Sequence, residues 1–150
     1  MAAGDMLKRF GDRVGYTAED MEKFTEGDPR VRLMEKVVGA ASRYSIEARI
    51  VEARHCNSGY ALGDRFILDV DGNFITKLCP KRLCVYAVSQ LAVPVALIIE
   101  RISEGLDPNG FHLMRRVRCT DVGVDCSGYG GFMMEVSVVP RQAAPGEGAG

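Results

Sequence analysis

The hydrophobic period of the chain changes at Tyr44, and that change limits the fold more than any single motif does. Before it, Val31, Met34, Val37, Val38 and Ala41 recur at helical spacing. After it, Tyr44, Ile46, Ala48 and Ile50 alternate with Ser45, Glu47 and Arg49, the pattern of a strand with one face buried. A chain of 150 residues holding both periods has the length of one domain with one core. The expected fold is α+β: a mainly antiparallel sheet of about five strands, one buried helix against it, and an N-terminal helical segment.

Residues 1–16 are rich in charge and Gly without period and read as a flexible N-terminus. Residues 17–43 read as helical. Thr17 with Asp20 resembles a capping box that Gly27 closes, and Asp28-Pro29 supplies an N-cap and a first helical residue for a helix over about 29–42. Residues 44–139 form the cysteine-containing α+β domain. Its first strand ends near His55-Cys56, and a loop over 57–64 leads to a second strand carrying Phe66, Leu68 and Val70. Asp71-Gly72 signals a hairpin into a third, short strand over about 74–78. Cys79-Pro80 opens a buried helix from Lys81 to about Leu91, which Pro94 ends or kinks. A fourth strand is expected over 111–119 and a fifth over 132–139, joined by the Gly-rich loop 120–131; residues 140–150 are read as a disordered tail.

Charge excludes some functions. The 19 basic and 20 acidic side chains leave a net charge of -1, so the chain as a whole has no field to hold nucleic acid or an anionic membrane. The stretch from Leu83 to Ile99 contains Ser89, Gln90 and Pro94 and falls short of the ~20 apolar residues that span a bilayer. The first ten residues lack the apolar centre of a secretory signal. The expected location is therefore cytoplasmic, where cysteine clusters act as metal ligands or reactive thiols more often than as disulfides.

There are five cysteines. With strands alternating in direction, Cys56, Cys79, Cys119 and Cys126 are all expected at one end of the sheet, with Cys84 about one helical turn below. Thiolates converging on one centre suit zinc or an iron–sulfur cluster, so Cys56, Cys79, Cys84, Cys119 and Cys126 are the candidate metal ligands. Small thiols also make good core residues, and the chain has no Cys-x2-Cys pair. Cys79 has a second reading. At a helix N-terminus beside Lys81 and Arg82 its thiolate would be favoured, with His55 as a base, whereas His112 is expected at the opposite end. Asp121 and Asp125 flank the last loop as possible orienting acids or turn residues. Ser127-Gly-Tyr-Gly-Gly131 precedes a strand, so no helix receives an anion there. Arg115, Arg116 and Arg118 mark a solvated edge strand, an anion site or an interface.

Cys56-x2-Gly59-x3-Gly63-Asp64-x-Phe66, followed by Cys79-Pro80 and Cys119-x-Asp121, resembles the pattern of a family of short uncharacterised proteins, mostly from anaerobic bacteria and archaea. The likeness covers about residues 45–139. It implies that Cys56, Cys79, Cys119 and Asp121 are the shared set, with Cys84 and Cys126 as additions, and brings no established activity. An anaerobic setting would suit an oxygen-sensitive cluster. Three functional expectations follow: an accessory or electron-transfer subunit holding a metal or iron–sulfur centre, a thiol-dependent enzyme or redox protein using Cys79, and a non-catalytic structural or interaction module. A protein partner or a homo-oligomer is expected, because the apolar segment 83–99 exceeds what a small sheet covers.

Overall fold

The computed structural model describes residues 3–142. Helix α1 (Ala3–Val14) occupies the segment that shows no clear period in the sequence. Its end is fastened by Tyr16, whose ring meets Phe10 at 5.8 Å and Phe24 at 5.6 Å. Helix α2 (Ala18–Glu22) starts at the capping box that Thr17 and Asp20 form, and closes well before Gly27. Helix α3 (Pro29–Ala41) begins where Asp28 accepts a hydrogen bond from the Arg30 N–H and Pro29 takes the first helical position.

The sheet has four strands, β1 (Tyr44–Arg54), β2 (Arg65–Leu68), β3 (Arg116–Arg118) and β4 (Gly131–Pro140), in the order β2-β1-β4-β3 with every neighbour antiparallel. Ile46, Ala48 and Ile50 of β1 join Phe66 and Leu68 of β2 and Phe132, Met134, Val136 and Val138 of β4 in one core cluster. Val37 and Ala40 of α3 complete it from the helical side, with Leu91, Val95, Ile98 and Ile102. Between Ile50 and Glu52 the register shifts by one residue, so Ala53 rather than Glu52 pairs with the core residue Phe132. The opposite face is laced with ion pairs. Glu47 meets Arg49 at 2.8 Å and Arg65 at 3.2 Å, and Arg116 meets Glu135 at 2.8 Å.

The expected third strand, over 74–78, is a single bridge between Leu68 and Phe74 followed by a 3-10 turn at Thr76–Leu78. Asp69 explains the loss. Its carboxylate accepts hydrogen bonds from the N–H groups of Asp71 and Asn73, winding the hairpin into a side-chain-held loop. The single buried helix expected over 81–91 is instead a pair, α4 (Val85–Gln90) and α5 (Ala92–Ser103), of which α5 is the more deeply buried. Pro94 neither ends nor kinks it. It sits in the first turn of α5, where a backbone N–H has no partner within the helix.

The fourth strand is also shorter than the expected 111–119, because a side chain replaces part of it. The Asn109 amide donates to the Val138 carbonyl at 2.9 Å and accepts from the Val138 N–H at 2.8 Å, reproducing a ladder pair with β4. Arg115 donates to the Asn109 carbonyl, and Met114 at φ 61 turns the chain into β3. The tail beyond Gln142 lies outside the described residues. Asn109→Leu removes both bonds to a partly buried backbone pair. It is expected to lower stability by about 1–3 kcal/mol in urea unfolding, whereas the exposed Asn73→Ala change tests only its own turn.

Candidate functional site

The long pairing of β1 with β4 sets Arg54 opposite Gly131, and the pairing of β3 with β4 sets Arg118 opposite Met133. The residues that leave β1 and β3 therefore emerge together. His55 turns sharply at φ 54, and Gly130 lies so close that a Cβ there would overlap the carbonyls of Arg54 and His55. Cys56 follows. Cys119 continues from β3, its N–H donating to the Phe132 carbonyl at 2.9 Å.

Two turns hold the loop after Cys56. Gly59 and Gly63 adopt φ 79 and 90, and Asp64 accepts from the Ala61 N–H at 2.9 Å. The loop is tied to the sheet because Gly63 donates to the Ile50 carbonyl and Ile50 donates to that of Asp64. Tyr60 drops from this loop into the core, edge-on to Phe66 and Phe132. Its hydroxyl donates to the Arg82 carbonyl at 2.8 Å and accepts from the Cys84 N–H at 2.8 Å. Through this one phenol the core positions the segment that carries Cys84.

Cys84 is the N-cap of α4. Burial pushes its thiol up, but the Ser58 hydroxyl and the N–H groups of Ala87 and Tyr86 together outweigh that and leave it below the ordinary cysteine value. Cys56, Cys84 and Cys119 thus reach one cleft of about 800 Å³, whose wall also includes His55, Asp121 and Tyr129. A neighbouring hollow of about 450 Å³ shares Cys119 and His55 and adds Cys126, which is exposed at the end of a 3-10 turn. Among the described residues, no three His, Cys, Asp or Glu side chains stand as a preformed metal cage.

Asp121 braces the loop between β3 and β4. Its Oδ1 accepts from the N–H groups of Gly123 at 2.8 Å and Tyr129 at 2.9 Å, and these bonds hold its carboxyl below the usual range. Asp125 pairs with Arg54 at 3.3 Å on the surface. Arg116 and Arg118 form cross-strand pairs with Glu135 and Glu52, which fits the edge-strand reading of the arginines. His112 is exposed in the segment before β3, outside the cleft.

Cys79 is elsewhere. With no third strand to carry it upward, it lies beside Ile67, which pairs with Glu47, on the order of 20 Å back along the ladder at ~3.3 Å per residue. Its Sγ is 3.4 Å from both the Ile67 N–H nitrogen, which donates to it, and the Ile67 carbonyl, which accepts from it. The thiol therefore covers the outer edge of β2. Burial pushes its pKa up, against the Ile67 hydrogen bond that lowers it. It opens no helix: it closes the 3-10 turn Thr76–Leu78, Pro80 to Leu83 precede α4, and the N-cap is Cys84. The helix end expected to favour a thiolate at Cys79 is thus missing, and burial acts against that form. No family model, curated protein or solved structure matches the chain.

Sequence reasoning placed Cys56, Cys119 and His55 and missed Tyr60, Ser58 and the capping role of Cys84. In an alkylation series against pH, Cys84 is expected to react with iodoacetamide at lower pH than Cys79, and Ser58→Ala is expected to shift the Cys84 profile upward. Asp121 has a depressed carboxyl, so its stabilisation is present above the ordinary carboxylate range and lost as pH falls through its folded value. Asp121→Asn keeps an acceptor and removes the titration, so acid unfolding followed by circular dichroism is expected to become less steep.

Proposed function

We propose that this chain is a small cysteine-rich protein that binds a metal or iron–sulfur centre through Cys56, Cys84 and Cys119, and that it serves as an accessory or electron-transfer subunit. The observation that carries the reading is convergence: thiols from the end of β1, the start of α4 and the end of β3 line one cleft. Soft thiolates are the donors that zinc and iron–sulfur clusters take. The lowered Cys84 thiol supplies the required thiolate more readily. His55 is the non-thiol donor on the same wall, because the Asp121 Oδ1 is already engaged by two N–H groups.

An iron–sulfur centre, when bound, would supply one-electron chemistry, which redox-inert zinc would not. The chain supplies the fixed backbone around it: Tyr60 sets the Cys84 segment, Gly130 admits the His55 turn and Asp121 braces the loop that follows Cys119. The resemblance to proteins of anaerobes accords with an oxygen-sensitive centre. A thiol-dependent reading has support of its own, moved from Cys79 to Cys84, since Cys84 is the thiol that combines a lowered pKa with a place on the cleft.

Anaerobic loading with ferrous iron and sulfide, or with zinc, followed by metal analysis and visible absorption tests this. Wild type and Cys79→Ala are expected to load equally, and Cys56→Ala, Cys84→Ala and Cys119→Ala are each expected to lose about 10-fold or more in metal affinity. A folded wild type that stays colourless and metal-free, or loading indifferent to all three substitutions, overturns the proposal.

A further inference from the structure

The chain holds three asparagines, Asn57, Asn73 and Asn109, and only Asn109 precedes a glycine. Asparagine is a thermolabile residue, and a following glycine has no Cβ to shield its backbone nitrogen from the side-chain amide. Asp107-Pro108-Asn109-Gly110 forms a turn with proline at its second position and glycine at its fourth, closed by the Gly110 N–H donating to the Asp107 carbonyl at 3.0 Å. Gly110 is exposed and Asn109 half-buried. Three holds keep the amide and the glycine nitrogen apart. The Asn109 amide is fastened to Val138 at 2.9 and 2.8 Å, the Gly110 N–H is spent on Asp107, and the Asn109 backbone is pinned by the Asp107 carboxylate at 3.0 Å and by Arg115 at 3.0 Å. On its other side Val138 pairs with Ile46 of β1, so Asn109 stands at the margin of the sheet, where local opening costs far less than global unfolding.

We infer that Asn109-Gly110 is a self-modification site held in check by the bond pair to Val138, so that a chain whose Asn109 leaves β4 converts there to aspartate or isoaspartate. The step needs only water. The Gly110 nitrogen gives up its proton and bonds to the carbon of the Asn109 side-chain amide, and the amide nitrogen leaves with that proton as ammonia. Water then opens the cyclic imide. Attack at the side-chain carbonyl gives aspartate, attack at the main-chain carbonyl gives isoaspartate, and in both the Gly110 nitrogen regains a proton. The change runs one way. An ionised carboxylate is an acceptor only, so aspartate still takes the Val138 N–H but sets its second oxygen against the Val138 carbonyl. Isoaspartate lengthens the backbone by a methylene and shortens the side chain. Neither product rebuilds the pair, and the tie that is lost joins β4 to the segment leading through Met114 into β3. Conversion thus marks the chains that have opened at this margin and keeps them open, whether or not the cleft holds a metal.

The test incubates the full chain in mildly alkaline buffer, folded and in urea, and follows each asparagine by peptide mapping and mass spectrometry, with Asn57 and Asn73 as references in the same digest. Asn109 is expected to convert about 10-fold or more faster in urea than in the folded chain. Gly110→Ala is expected to slow the conversion in urea by about 10-fold, because a Cβ shields the attacking nitrogen. In the folded chain that Cβ meets chiefly the guanidinium of Arg101, a flexible group that can move aside. The Val138 amide is expected to exchange its hydrogen about 10-fold faster in converted chains than in unconverted ones. Asn109→Asp is expected to reproduce this, and chains converted while folded supply the reading should that variant fail to fold. Equal conversion in the folded and unfolded chain, conversion in urea indifferent to Gly110→Ala, or Val138 exchange unchanged in converted chains overturns the proposal.

Discussion

The pairing of β1 with β4 is the constraint on which the remaining structure depends. It runs from Tyr44 opposite Pro140 to Arg54 opposite Gly131, joining segments far apart in sequence. Its inner face supplies Ile46, Ala48 and Ile50 against Met134, Val136 and Val138, the apolar surface that α3 and α5 bury. Its far end decides where the chain emerges at His55 and where the Gly-rich loop returns. Cleft and core are consequences of the same ladder, since the residues that close it hold the walls of the cleft apart.

Where strand pairing stops, side chains take over the work of the backbone. Asn109 presents a donor and an acceptor to Val138, as a strand neighbour would. Cys79 joins Phe74 and Ile75 in covering the outer edge of β2 at Ile67 and Leu68. Tyr60 joins the carbonyl of Arg82 to the N–H of Cys84. Among the described residues no buried side-chain nitrogen or oxygen is left without a partner, so the short strands do not leave such atoms unsatisfied. The cysteines divide along the same line: Cys79 belongs to the scaffold, and Cys56, Cys84 and Cys119 to the cleft.

Much of this was legible in the sequence, because local periodicity records which face is buried. The alternation from Tyr44, the Asp28-Pro29 start and the apolar face of β4 all appear where pattern places them. The gathering of Cys56 and Cys119 followed from chain direction alone. What pattern could not show was any place where one side chain substitutes for several backbone bonds. Asp69 converts a hairpin signal into a loop, Asn109 shortens a strand and Tyr60 lends a hydroxyl across two segments. Each depends on a partner distant in sequence or on competition between a side chain and the ladder, and neither has a period. The error at Cys79 descends from the first of these, since the missing third strand would have carried that thiol to the other end.

The extra residue in β1 between Ile50 and Glu52 has a consequence for how this molecule could change over generations. Side chains alternate, so a single deletion between Glu52 and Arg54 would turn the residues beyond it to the other face, whereas removing the extra residue itself would leave Ala53 opposite Phe132. The stretch beyond the bulge therefore keeps its faces only when its length changes by pairs, or when β4 alters by one in step. The mouth of the cleft is therefore tied to the parity of a strand, and loops elsewhere can drift in length far more freely than this stretch can.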